Sequence, residues 1–98
     1  MKRFKHAQII GKRWFQKSYG TTYHSVTIII DGKQEVYIPF KYGYGDQYKQ
    51  TAGKWLKENG YMPKNIKASC QEVRQIIDWI IQGKMQTLIF DVDRKKDL

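Results

Sequence analysis

The chain has 98 residues, 41% of them hydrophobic, so we expect one small domain over residues 1–98 with a modest core. This composition excludes disordered and collagen-like chains, and no apolar run approaches the roughly 18 residues that a membrane span needs. Eighteen Lys and Arg against nine Asp and Glu give a net charge of +9. Such an excess attracts nucleic acid, an anionic membrane or an acidic protein surface; the alternative is a lysine-rich face that only keeps the protein in solution.

The excess charge is concentrated at the start of the chain. Residues 1–17 hold six bases and no acid: Lys2, Arg3, Lys5, Lys12, Arg13 and Lys17. No apolar stretch follows this basic start, so we expect no signal peptide. Cys70 is the single cysteine and cannot form an internal disulfide, which is typical of a reducing compartment. We therefore expect a cytoplasmic protein without a membrane partner.

Three strands are predicted in the first half of the chain. Arg3 to Gln16 mixes apolar residues with bases and predicts a long strand, in which Gly11 indicates a bulge or bend. Tyr23 to Ile30 and Glu35 to Phe40 alternate as half-buried strands do. One face of the first alternation holds His24, Val26, Ile28 and Ile30, and one face of the second holds Val36, Ile38 and Phe40.

The turn between these strands, at Asp31-Gly32, has a favoured geometry. A two-residue loop would set the two apolar rows on opposite faces, because register follows turn length. A three-residue loop with Gly32 left-handed in a bulge pairs Val26 with Val36 and His24 with Ile38, so we favour it. Tyr23, Tyr37, Ser25 and Thr27 then share the opposite face.

Two helices and a final strand follow. A helix is predicted over Gln47–Asn59, with Asp46 as N-cap and Gly60 as a left-handed C-cap. Ser69 and Glu72 form a capping-box pattern for a second helix that ends at Gly83. Met85 to Asp93 alternates as a strand. The element order β-β-β-α-α-β predicts an α+β fold, with an antiparallel sheet and both helices packed on one face.

The candidate binding surface combines bases with aromatic side chains. This combination suits single-stranded nucleic acid, because bases stack on rings while Lys and Arg follow the phosphates. The alternative is that the aromatic residues merely cover an open sheet face. The candidate residues are Lys5, Lys12, Arg13, Trp14, Lys17, Tyr19, Tyr23, Tyr37, Lys41, Tyr42 and Tyr44.

Evidence for catalysis is thin, and we expect a non-enzymatic protein with no cofactor and no metal. The loop Tyr42-Gly43-Tyr44-Gly45-Asp46 precedes a helix but lacks the Walker pattern, so a plain loop is favoured over a phosphate site. Asp91 and Asp93 share one strand face, a spacing that a metal-dependent nuclease could use. However, they lie near the end of the sequence beside Arg94, Lys95 and Lys96, and a solvated strand edge, which we favour, explains them without a metal. His24 lies in the core row, where a structural role is favoured.

The segment from Lys12 to Val26, KRWFQKSYGTTYHSV, resembles a family of small phage and prophage proteins. The resemblance continues through Pro39-Phe40 and residues 42–48, YGYGDQY, to Thr51-Ala52, which is about the first half of the chain. It implies an accessory or host-takeover protein that binds rather than catalyses, located in the cytoplasm of the host bacterium. It also implies that the tyrosine-glycine loop is a family feature. No functional residue is carried over.

Two functions are therefore weighed, with a metal nuclease as a distant third. The favoured one is a basic accessory protein that binds nucleic acid through its first strand and aromatic sheet face. The alternative is an anti-defence or host-takeover inhibitor that binds a host protein complex handling nucleic acid. For so small a domain, a homodimer through an edge strand is a further option.

Overall fold

The computed structural model describes residues 2–98, except for the side chain of Ser69. Four strands form one sheet: β1 (Ala7–Gln16), β2 (Thr21–Ile30), β3 (Lys33–Tyr42) and β4 (Met85–Val92). Two helices, α1 (Gln47–Glu58) and α2 (Ser69–Ile81), lie between β3 and β4, and a short 3₁₀ helix spans Lys95–Asp97. The predicted α+β class and the predicted element order along the chain are confirmed.

The sheet is mixed, so the prediction of a purely antiparallel sheet is wrong. Its spatial order is β3-β2-β1-β4, and β4 runs parallel to β1, with Ala7 opposite Met85 and Trp14 opposite Val92. The chain leaves α2 beside the start of β1, where the Ala7 N–H donates to the Lys84 carbonyl at 2.9 Å. Alternation along an edge strand is the same for both directions, so it could not reveal the direction of β4.

The β2–β3 hairpin also differs from the predicted register. Asp31 and Gly32 have φ of 51° and 82°, the left-handed pair of a two-residue type I′ turn. Glu35 is then the extra residue of a bulge, because Ile29 pairs with Gln34 while Ile28 pairs with Val36. A bulge does reconcile the two apolar rows, but inside β3 rather than in the turn, and Val26 pairs with Ile38 instead of Val36.

The core lies between the helices and one face of the sheet, called here the helix face. Its strand residues include the fully buried Ile9, Val26 and Ile28, and its helix residues include Leu56 and Ile76. Gly11 of β1 pairs regularly with Val26 and Ile89, so it marks neither bulge nor bend. Instead, a Cβ at Gly11 would lie 2.8 Å from both the Tyr48 ring and the Ile89 Cδ1. Because Gly11 has no side chain, α1 can pack directly against the sheet at this position.

The ends of the two helices agree only in part with the predicted capping residues. Gly60 is left-handed at φ 84°, as predicted, and α1 ends at Glu58. Asp46 occupies the N-cap position of α1 without a side-chain cap hydrogen bond. The N-cap of α2 is Ala68 rather than Ser69, whose side chain is outside the described residues, and Gln71 Oε1 accepts the Lys67 and Ala68 N–H groups. Within residues 2–98, no helix is long and apolar enough to cross a bilayer.

Replacing Gly11 with Ala is expected to lower the free energy of unfolding by about 1–3 kcal/mol, because the added methyl group would clash with the side chains of Tyr48 and Ile89. Chemical denaturation measures the loss. Ile89→Val removes the Cδ1 atom and supplies the control, and the double variant should lose less than the sum of the two single changes. A Gly11→Ala protein as stable as the parent would contradict this account of α1 packing.

Candidate nucleic-acid interface

The sheet face opposite the helices, called here the open face, is built by alternation along the strands. Residues of β1 with even numbers and residues of β2 with odd numbers point to it, away from the core. Five of the predicted site residues share this face: Lys12, Trp14, Tyr23, Tyr37 and Tyr42. The predicted grouping of Tyr23, Tyr37, Ser25 and Thr27 is confirmed.

Three rings stand side by side across three strands of the open face and form what we call the aromatic column: Trp14, Tyr23 and Phe40. Tyr23 and Phe40 are stacked with ring centroids 4.4 Å apart and planes at 18°. Trp14 and Tyr23 follow at 5.9 Å and 26°. Tyr42 meets the edge of Tyr23 at 6.0 Å and remains 67% exposed. The column is therefore a preformed stack with further aromatic surface beside it.

Phe40 joins the column because of a second bulge in β3. His24 pairs with Lys41 while Val26 pairs with Ile38, so Pro39 and Phe40 together oppose Ser25. Phe40 adopts φ of 45°, which turns it from the predicted core row to the open face. The prediction that Phe40 shares a face with Val36 and Ile38 is wrong. The residue in the sequence that indicates this bulge is Pro39, because a proline inside a strand is typical of an edge strand or a bulge.

A segment after β4 lies across the open face, and we call residues 93–98 the tail. The Lys95 Nζ lies 4.5 Å from the centroid of the Phe40 ring, and the Tyr37 hydroxyl donates to the main-chain oxygen of Leu98 at 2.6 Å. Both contacts are on β3, although the tail leaves the sheet from β4 at the opposite edge. Sequence reasoning missed Lys95 as a neighbour of the column, because nothing local in the sequence indicates where the tail lies.

Three other predicted residues lie on the opposite side of the sheet, around a groove of about 550 Å³. Arg13, Lys17 and Tyr44 line it, together with the exposed Phe15. The Arg13 Nε donates to the Asp91 carboxylate at 2.9 Å, and its Nη1 donates to the Gly45 carbonyl at 3.4 Å. Arg13 thus connects β1 to β4 and to the tyrosine-glycine loop. Lys17 is the other cation that lines the groove, and among the described residues its side chain has no hydrogen bond or ion pair.

The remaining predicted residues are dispersed. Tyr19 lies in the β1–β2 turn and is 77% exposed. Lys41 lines a small pocket on the helix side with Thr51 and Lys54. Lys5 lies at the far end of the sheet, where its main-chain N–H and that of His6 donate to the Asp31 carboxylate. These hydrogen bonds, from His6 and then from Lys5, lower the pKa of Asp31.

His24 is a buried structural histidine that joins β2 to the tyrosine-glycine loop and to α1. Its Nδ1 lies 3.3 Å from the Gly43 carbonyl and its Nε2 lies 2.7 Å from the Thr51 hydroxyl. A carbonyl can only accept, so Nδ1 carries the proton of the neutral ring and the Thr51 hydroxyl donates to Nε2. Burial lowers the pKa of His24 and the Lys41 charge adds to this, while the bond to Gly43 opposes it.

The carboxylates Asp91 and Asp93, predicted to share a strand face, lie beside the groove that Arg13 lines. Asp91 is engaged by Arg13, although its side chain remains largely exposed. In the part of the chain that the structure describes, no group of three His, Cys, Asp or Glu side chains is placed to hold a metal ion.

Comparison with protein-family models, with curated proteins and with solved structures found no match to this chain.

The lowered pKa of His24 predicts that acid destabilises the fold. Because the unfolded chain binds the proton more readily, stability is full above the ordinary His pKa of about 6.5 and falls as the pH drops below it. The slope should reach at most about 1.4 kcal/mol per pH unit. Urea denaturation between pH 5.5 and 7.5 measures it. His24→Gln should be less stable but flatter with pH, and a flat profile for the parent would refute the assignment.

Proposed function

We propose that this protein is a non-enzymatic accessory protein that binds single-stranded nucleic acid on its open face. The observation that supports this most directly is the aromatic column of Trp14, Tyr23 and Phe40, with the exposed ring of Tyr42 beside it. Every nucleobase presents a flat π-face, so rings fixed by a sheet accept bases without regard to sequence. A double helix keeps its bases stacked inside, so the single strand is the favoured form.

Positive charge supports the same proposal. The charged side chain that the strands place on the open face beside the column is Lys12, between Ser25 of β2 and Phe90 of β4. The net charge of +9 adds a field that attracts polyanions from any direction. Lys12 would hold the phosphates of a bound strand, while the rings would hold its bases. The resemblance to phage and prophage proteins fits such an accessory role in an infected bacterium.

Binding to a labelled single-stranded oligonucleotide, followed by fluorescence anisotropy over a salt series, tests the proposal. Tyr42→Ala should weaken binding roughly 5- to 150-fold, the loss expected for one stacked base, without changing the salt dependence. Lys12→Ala should instead flatten the slope of log affinity against log salt by about 0.7, because one phosphate contact is lost. The two variants therefore separate stacking from charge.

Matched controls lie on the other side of the sheet. Tyr44→Ala removes a ring of similar exposure to Tyr42 from the groove beside Arg13. Lys54→Ala removes one charge from α1. We expect both to bind as the parent does, apart from a small electrostatic loss for Lys54→Ala. The proposal fails if a preparation freed of nucleic acid shows no binding at low salt, or if Tyr42→Ala and Tyr44→Ala behave alike.

A second function, inhibition of a host protein complex that handles nucleic acid, is favoured by the groove on the helix side. Phe15 and Tyr44 are more than half exposed at its rim around the Arg13–Asp91 pair. Exposed rings around a charged centre are typical of protein-binding hot spots. This surface is separate from the aromatic column, so the two functions depend on different residues.

The second function predicts inhibition of a purified nucleic-acid-guided defence nuclease by the parent protein. Phe15→Ala and Tyr44→Ala should each weaken inhibition at least fivefold, because hot-spot truncations cost more than about 1 kcal/mol. Tyr42→Ala should inhibit as the parent does. Inhibition that follows Tyr42 rather than Tyr44 would assign the effect to the open face and remove this second function.

A further inference from the structure

We infer that the tail, residues 93–98, competes in cis with nucleic acid for the aromatic column. This inference rests on the proposed function and adds a regulatory element to it. The tail would occupy the open face in the free protein and leave it when a strand binds. The affinity measured for the intact chain would then be lower than the affinity of the bare face.

The first reason is the position of Lys95 on Phe40. One face of the Phe40 ring is covered by Tyr23, whose centroid is 4.4 Å away. The Lys95 Nζ lies 4.5 Å from the same ring centroid, and since Tyr23 covers the first face, the ammonium covers the second. This second face is the end of the column, where the next base would continue the stack. A base and Lys95 cannot occupy it together.

The second reason is the path of the tail. Val92 ends β4 beside Trp14, whereas Leu98 is bonded to Tyr37 on β3, so the tail crosses the width of the sheet. Three extended residues and the three residues of the 3₁₀ helix span up to about 16 Å, and the outer strands of a four-stranded sheet are roughly 14 Å apart. The tail therefore covers the part of the open face around Phe40 and Tyr37.

The third reason is that the tail contacts are weak enough to be exchanged. The Tyr37–Leu98 hydrogen bond is exposed to solvent, and the Lys95–Phe40 contact involves a ring that is itself 42% exposed. One cation–π contact or one solvent-exposed hydrogen bond at the surface shifts an equilibrium roughly 2- to 10-fold. A single stacked base offers as much or more. A strand that stacks several bases would therefore displace the tail, but at reduced affinity.

Neighbouring lysines provide a charge-matched test. Lys95→Ala and Lys96→Ala each remove one positive charge from the tail, but of the two only Lys95 contacts a ring in the described structure. We expect Lys95→Ala to bind the labelled single-stranded oligonucleotide roughly 2- to 10-fold more tightly than Lys96→Ala does. Tyr37→Phe keeps both the ring and the net charge while removing the bond to Leu98. It should bind roughly 2- to 10-fold more tightly than the parent, with the same salt slope.

Backbone order parameters of residues 94–98 give a readout that does not depend on binding. They should be high in the free parent, lower in Tyr37→Phe, and lower in the parent once the oligonucleotide is added. If the parent binds but Lys95→Ala matches Lys96→Ala and Tyr37→Phe matches the parent, the tail is not a competitor and only this inference falls. If no variant binds, even with residues 94–98 deleted, the proposed function falls, and the inference falls with it.

Discussion

The approach of Tyr48 to Gly11 determines how the two layers of this protein meet. Any side chain larger than hydrogen at position 11 would hold α1 away from the central strand β1. With α1 in place, Thr51 reaches His24, and the loop before the helix reaches Arg13 through Gly45. The same loop carries the chain around the edge of the sheet directly after Tyr42. One close contact in the core therefore supports the end of the sheet where both candidate surfaces lie.

The two faces of the sheet differ in how their apolar side chains are covered. Two helices cover the helix face with a conventional apolar core. The open face has no such layer, and its apolar surface is shared among stacked rings, a half-buried lysine and six residues of tail. Rings that pack against one another already form part of a binding surface, because their ordering does not have to wait for a ligand.

Patterns that repeat over short distances were readable in the sequence, and contacts between distant segments were not. Alternation in β2 placed His24 and Tyr23 on their correct faces, and Gly60 correctly marked the end of α1. The parity of the hairpin correctly required a bulge, but its position depends on packing along the whole of β3. The turned ring of Phe40, the direction of β4 and the path of the tail are set by partners that are far away in sequence. Of the eleven predicted site residues, five share the open face, whereas Phe40 and Lys95, which also lie there, were not predicted.

The parallel pairing of β1 with β4 also orders the assembly of the sheet in time. Ala7 and Met85 are partners across nearly the whole chain, whereas β1, β2 and β3 are joined by short turns. Local pairings form early, because closing a long loop costs more conformational entropy than closing a short one. During synthesis all residues of the three-stranded meander, which ends at Tyr42, leave the ribosome well before residue 85 does. Until β4 is synthesised, one edge of β1 stays unpaired. During that interval the unpaired edge of β1 can pair with a strand of another chain, which is a route to aggregation.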